Sequence, residues 1–238
     1  MIPTTTIISV RLKPCSDRSR RLKFFTTTFQ GQAARQEDEL PDLLLTLEHP
    51  PVYTRGRRSA ADELPLGDEW YAARGVEIVD TDRGGKVTYH GPGQLVGYPI
   101  VRVDDVVAYV RRLEGALVAA LAEEGVAARA RPHDGHRFTG VWVGERKIAS
   151  IGVHLSRGVS THGFAVNVDN DLEPFSWIVP CGLDGVQMTS LVVESGRASG
   201  GMKCFRRRTE CQVAKALGRR QRLVSRARLE TRAPAAVA

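Results

Sequence analysis

Short aliphatic runs broken by turn residues recur along most of the chain. Leu43–Leu47, Val76–Val79, Leu95–Ile100, Val141–Val143, Ile148–His154 and Gly163–Val168 are each rich in aliphatic residues and bounded by Gly, Pro or Asp, the signature of β-strands. Together they predict a mixed sheet. Between them the period changes. Val106, Val110, Leu113, Leu117 and Leu121 recur at helical spacing behind Asp104 or Asp105, either of which can cap a helix, and Gly125 ends the pattern. That helix is expected to lay one face on the sheet. A second helix is predicted from about Thr209 to Leu217, and the Arg/Ala-rich tail beyond it has no clear period.

A chain of 238 residues, 42% hydrophobic and 26% charged, has the composition of an α/β or α+β protein able to bury a full core. With no internal repeat or low-complexity linker to divide it, the chain reads as one domain over residues 39–217. A variable N-terminal segment, 1–38, precedes it and a basic C-terminal tail, 218–238, follows. No apolar run nears the roughly 18 residues that span a bilayer, and Ile7-Ile8-Ser9-Val10 is too short for a signal-peptide core. Membrane insertion and secretion are not expected. Cys15, Cys181, Cys204 and Cys211 form neither a disulfide framework nor a C-x-x-C site, which points to a reducing compartment.

The net charge of +7 is uneven. Residues 197–238 carry +10 and residues 1–196 carry −3. Runs such as Arg206-Arg207-Arg208 suit a solvated end, an acidic protein partner or nucleic acid. Residues 1–36 hold seven Lys and Arg against Asp17 alone, loosely like a transit peptide but without its amphipathic period.

Three segments concentrate candidate chemistry. The first, RGGKVTYHGPGQLVGYPI from Arg83, packs five glycines, two prolines, two tyrosines and a histidine into eighteen residues. Its glycines let a ligand lie against bare backbone while Pro92 fixes the loop. An apolar run follows Gly93 where a nucleotide loop would need a helix, and no G-x-x-x-x-G-K-[ST] occurs. The second segment, Gly144 to Val168, places Lys147 at the head of a strand-like run just after a turn. The pairs His133/His136 and His154/His162 lack neighbouring ligands at zinc spacing, so no metal is expected. The third segment, Asp171 to Leu191, sets Cys181 between Pro180 and Gly182, beside Phe175, Trp177 and Ile178. A thiol exposed at such a bend next to an apolar patch could carry an acyl chain.

With ELPDLLLTLEHPPVYTRGRR from Glu39, these segments resemble the lipoyl(octanoyl) transferase family, lipoate biosynthesis protein B, over about Glu39 to Leu191. The resemblance is carried by RGG-x-x-TYHGPGQLV-x-YPI, K-I-A-x-I-G and PCGL. It implies a mixed β-sheet flanked by helices, the α/β catalytic module of biotin protein ligases and lipoate ligases. It also implies a Cys/Lys dyad, with the acyl thioester on Cys181 and Lys147 activating it. The implied substrate-binding residues are Arg83, Gly84, Gly85, Lys86, Val87, Thr88, Tyr89, His90, Ser150, Ile151, Gly152, Gly163, Phe164 and Ala165. The implied donor is octanoyl-acyl carrier protein. The implied acceptors are lipoyl domains of 2-oxoacid dehydrogenase E2 subunits and the glycine cleavage H protein. No cofactor, nucleic acid or membrane is called for, and the implied place is the cytoplasm, or the mitochondrial matrix in a eukaryote.

Two rivals remain. An ATP-dependent lipoate or biotin protein ligase of the same fold would activate a free acid and would not need Cys181. A nucleic-acid-binding protein would interleave aromatic residues with the tail's arginines, and beyond Phe205 the tail has none.

Overall fold

Five of the six aliphatic runs of the sequence become strands of one large sheet, and the sixth, Val76–Val79, joins a smaller one. In the computed structural model, residues 6–11, 32, 35, 36, 40–179, 185–196 and 201–225 are described. Eleven strands occur among them: β1 (Thr6–Arg11), β2 (Asp42–Leu47), β3 (Val52–Arg55), β4 (Glu77–Asp80), β5 (Thr88–His90), β6 (Gln94–Ile100), β7 (Arg129–Ala130), β8 (Gly140–Val143), β9 (Arg146–Ser156), β10 (Val159–Asn167) and β11 (Arg220–Val224). Eight form a sheet in the order β11-β1-β2-β6-β10-β9-β8-β7, and a smaller sheet runs β4-β3-β5. β1 is parallel to both β2 and β11. From β2 onward the neighbours are antiparallel.

Among the described residues the sheets are accompanied by the helices α1 (Asp68–Ala73), α2 (Val106–Ala122), α3 (Leu191–Ser195) and α4 (Met202–Ala216). One face of the large sheet, with Ile7, Leu44, Leu95, Ile148 and Val166, shares a core with Leu113, Leu117 and Leu121 of α2 and Phe205 and Val213 of α4. The alternate positions Leu43, Leu45, Leu47, Val96 and Ile100 form a second cluster on the other face, as the two-residue period of a strand requires. Leu113 and Leu117 are fully buried, so truncating either to Ala would cost about 2–5 kcal/mol.

The six predicted strands are present with ends shifted by a few residues, and α2 starts as predicted: Asp105 accepts hydrogen bonds from the Val107 and Ala108 amides. Three expectations differ from what is found. Val106 and Val110 were expected on the sheet-facing side of α2. Instead Val106 is 43% exposed and both valines border a cavity. The first helical turn projects past the sheet, and Tyr109 is the first residue to reach the core. The second helix starts at Met202, seven residues before Thr209. Its early turns are hidden in sequence by a charged run that is spent on intramolecular pairs, Arg206 with Glu48 at 2.7 Å and Arg208 with Glu124.

The large sheet, finally, extends beyond residues 39–217. β1 lies in the segment read as a variable N-terminus and β11 in the basic tail, and the two strands pair with each other. Charged residues on β11 suit an edge strand, where they discourage further pairing, but they read as a solvated end. Glu210, fully buried, fastens this edge: it accepts two bonds from Arg11, at 3.0 and 2.8 Å, and one from Thr46 at 2.8 Å.

Candidate active site

A cavity of about 560 Å³ opens where β3, β5, β6, β9 and β10 meet the start of α2, within the roughly 300–1,000 Å³ usual for small-molecule sites. It gathers residues that are distant in sequence. Twelve of the residues implied by the resemblance line it: Arg83, Gly84, Gly85, Lys86, Thr88, His90, Ser150, Ile151, Gly152, Gly163, Phe164 and Ala165. Val87 and Tyr89 do not. Val87, just before β5, and Tyr89 on it alternate with Thr88 and His90 and so point to the opposite side, where they pack with Tyr53, Tyr71 and Phe175.

The loop before β5 lies directly on β9. The Gly84 amide donates to the Val153 carbonyl at 2.9 Å, and a methyl group on Gly152 would come within 2.7 Å of the Gly84 carbonyl oxygen. A glycine is therefore required at 152 by the approach of the loop. Arg83, although it borders the cavity, is also a brace: its Nη2 donates to the Thr54 carbonyl at 2.5 Å and to Thr54 Oγ1 at 2.8 Å. Lys86 pairs at 2.5 Å with Glu63, a buried carboxylate that also accepts from the Val87 amide.

Behind the loop a polar chain crosses the floor. The side-chain nitrogen of Gln94 donates to Asn167 Oδ1 at 2.9 Å and to the Tyr89 carbonyl at 3.2 Å, which leaves its oxygen to accept from Nδ1 of His90 at 2.7 Å. His90 Nε2 then faces Thr54 Oγ1 at 3.4 Å as an acceptor. Burial first, and then the neighbouring His49, push the His90 pKa down to about 3, so the ring is neutral near pH 7. His162, which also lines the cavity, has a positive φ of 57°. Its Nε2 meets Asp82 at 2.6 Å, while His154 meets the other oxygen of Asp82 at 3.5 Å. Burial lowers the His162 pKa, and Asp82 works against that shift. Among the described residues no group of three or more His, Cys, Asp or Glu is placed to hold a metal.

Lys147 is 2% exposed, lines the cavity, and holds Nζ 5.3 Å from the centre of the Trp142 ring. Its main chain is paired from the far side as well. The Lys147 amide donates to the Gln187 carbonyl and the Thr189 amide donates to the Lys147 carbonyl, each at 2.9 Å. The Thr189 carbonyl in turn accepts from Asn167 Nδ2 at 3.0 Å. Cys181 lies outside the described residues. On its N-terminal side, the Val179 amide donates to the carbonyl of Glu63 at 3.1 Å, the residue that holds Lys86.

The apolar patch expected to receive an acyl chain is elsewhere. Phe175 and Ile178 are buried in the aromatic cluster of the small sheet, with Trp177 packed against it. The apolar walls of the cavity are instead Val96, Tyr98, Val106, Val107, Val110, Ile151, Val153 and Phe164. Of these, Ile151 and Phe164 are among the implied binding residues, while Val96 and Tyr98 belong to the GQLV-x-YPI part of the first motif without being implied as binding. Val106, Val107 and Val110 come from a helix start, where the sequence signal is an apolar pair, Val106-Val107, on the first turn.

The catalytic-domain family of lipoyl protein ligases A and B matches residues 25–209 of the chain. The octanoyltransferase of Solibacter usitatus is 51% identical over 174 residues, covering 71% of this chain and 77% of that protein. The chain belongs to the octanoyltransferase family. Another member, the octanoyltransferase of Mycolicibacterium smegmatis, is 49% identical over 203 residues, 79% of this chain and 84% of that protein. Solved structures agree on the fold. Lipoate-protein ligase A bound with ATP superposes with a TM-score of 0.71 at 17% identity, covering 97% of this chain and 93% of that one. A bi-partite lipoate protein ligase from Thermoplasma acidophilum, solved in a study that also covers its E2 lipoyl domain, gives 0.70 at 15%, over 98% and 92%. The mixed sheet flanked by helices is thus the fold of the lipoate ligases.

Proposed function

We propose that the protein transfers an octanoyl group from octanoyl-acyl carrier protein to a specific lysine of lipoyl domains, through a thioester on Cys181. Lipoyl domains of 2-oxoacid dehydrogenase E2 subunits and the glycine cleavage H protein are the acceptors in this reading. The observation that carries it is Lys147: a buried amine at a cavity walled by apolar side chains, on a strand paired with the segment that follows Cys181. Octanoyltransferase relatives at half identity support the same chemistry.

The thiolate of Cys181 attacks the carbonyl carbon of the octanoyl thioester. The bond to the pantetheine sulfur breaks, and the departing thiolate takes the Lys147 proton. One thioester replaces another, so the exchange is close to isoenergetic and needs no nucleotide. In the second half the acceptor amine attacks the Cys181 thioester, Lys147 takes its proton, and the cysteine leaves as thiolate. The amide product makes this half downhill, and the ion pair that began the cycle is restored. The walls of Val96, Val106, Val107 and Ile151 suit a medium aliphatic chain.

An ATP-dependent ligase on the same fold is the competing reading, and it differs in what it consumes. Incubation with octanoyl-acyl carrier protein and an apo lipoyl domain, without ATP, is expected to yield the octanoylated domain. Transfer from free octanoate that depends on ATP would favour the ligase instead.

A further inference from the structure

The cavity carries more positive charge than an octanoyl thioester explains. Its lining includes Arg58, Arg83, Lys86, Arg111, Arg137 and Lys147 and, among the described residues, no Asp or Glu. An octanoyl chain and a thioester are both neutral. Four of the six cations are otherwise engaged or buried: Lys86 with Glu63 and Arg111 with Glu114, each at 2.5 Å, Arg83 on Thr54, and Lys147 deep in the cavity. Arg58 and Arg137 remain. Both are exposed and neither makes an ion pair among the described residues. Arg58 is tied to the glycine loop, its amide donating to the Gly85 carbonyl at 3.1 Å. Arg137 sits on a short 3₁₀ turn, His136–Phe138, at another part of the same wall.

We propose that Arg58 and Arg137 form a phosphate-ester site at the rim of the cavity, which takes the phosphodiester of the donor's pantetheine arm. The proposal rests on the octanoyl-transfer reading and adds how the donor is recognised. In a carrier protein the acyl group hangs from pantetheine, with the phosphate at the far end of the arm from the thioester. The cavity has the matching order: a 2% exposed lysine within it, and lining residues open to solvent that include Arg58, Arg137 and Val107, the last 63% exposed. Arginine pairs with phosphate through two parallel hydrogen bonds, which holds the arm in position as well as attracting it.

The same phosphate chemistry could come from a nucleotide, so the test compares sources. Calorimetric titration of the full chain with 4′-phosphopantetheine, pantetheine and ATP is expected to show 4′-phosphopantetheine binding about tenfold or more tightly than pantetheine, the worth of one or two charge-assisted bonds. In R58Q/R137Q the ratio of the two affinities should fall to near one, while R58K/R137K should keep part of it. A ratio near one in the wild type, a ratio unchanged in R58Q/R137Q, or tighter binding of ATP than of 4′-phosphopantetheine would overturn the proposal. None of these probes carries an acyl group, so the result is independent of whether transfer through Cys181 occurs.

Discussion

A methyl group on the α-carbon of Gly140 would stand 2.8 Å from Cε of Lys147 and closer still to the carbonyl oxygen of Ala149. The buried lysine therefore lies across a strand position that must be bare. Gly140 is held there by its amide, which donates to Glu114 at 2.9 Å, a carboxylate 1% exposed on α2.

From this contact the effect of Gly140→Ala follows. With φ at 136°, an alanine must accept an unfavourable backbone conformation and also displace either Lys147 or β9. Urea unfolding should show a loss of about 1–3 kcal/mol, and octanoyl transfer should fall by about tenfold or more because a displacement near 1 Å at a reacting group is that costly. Full transfer with unaltered stability would show that Lys147 does not depend on this cradle.

The neutral His90 makes stability depend on pH in a definite direction. Its pKa is about 3 in the folded chain against 6.5 for an ordinary histidine, so below pH 6.5 the unfolded chain binds a proton that the folded one does not. Stability from this group is complete above pH 6.5 and is lost as pH falls toward 3, by up to about 1.4 kcal/mol per pH unit. His162, shifted in the same direction, adds to the slope. Unfolding free energies measured from pH 7 to pH 5.5, above most carboxylate titration, should decline in the wild type and decline less in His90→Asn. Equal slopes would mean that His90 is charged or solvated in the fold.

Much of the site is legible in sequence because loops that press backbone on backbone need particular residues. Gly84 and Gly152 read as special and are found touching, with Lys147 and Ala165 on the same sheet. The apolar walls are only partly legible: Val96 and Tyr98 lie in the first motif but read there as strand residues, and they become cavity lining through which strands flank β6. Phe175 and Ile178 misdirect for the converse reason: nearness to Cys181 in sequence says nothing of the cluster into which they turn. The edge pair of β1 and β11 is hidden because the pairing joins the two ends of the chain, and because arginines at 220 and 222 alternate with uncharged residues inside what looks like a solvated tail. Arg58 and Arg137 stand out only when the cavity is seen to contain cations without carboxylates.

If Lys147 acts on Cys181 as an ammonium, the thiol should react with iodoacetamide with an apparent pKa below the free value of about 8.5. Alkylation has to be followed peptide by peptide, because Cys204 and Cys211 are exposed. Lys147→Met should return the Cys181 profile toward the free value and slow both halves of transfer by about a hundredfold or more. Lys147→Arg keeps the charge but cannot accept a proton near neutral pH, so it should retain part of the shift and fail in transfer to the acceptor. Identical profiles in wild type and Lys147→Met would separate the two residues.

The central claim is the acyl-enzyme, and intact-mass analysis reads it directly. Full-length protein mixed with octanoyl-acyl carrier protein, with no ATP, metal or acceptor, should gain the mass of one octanoyl group, located to Cys181 by peptide mapping and removed by neutral hydroxylamine. Cys181→Ala should gain none and should transfer nothing to a lipoyl domain. Undiminished transfer by Cys181→Ala, or an octanoyl group mapped to any other residue, would contradict the account.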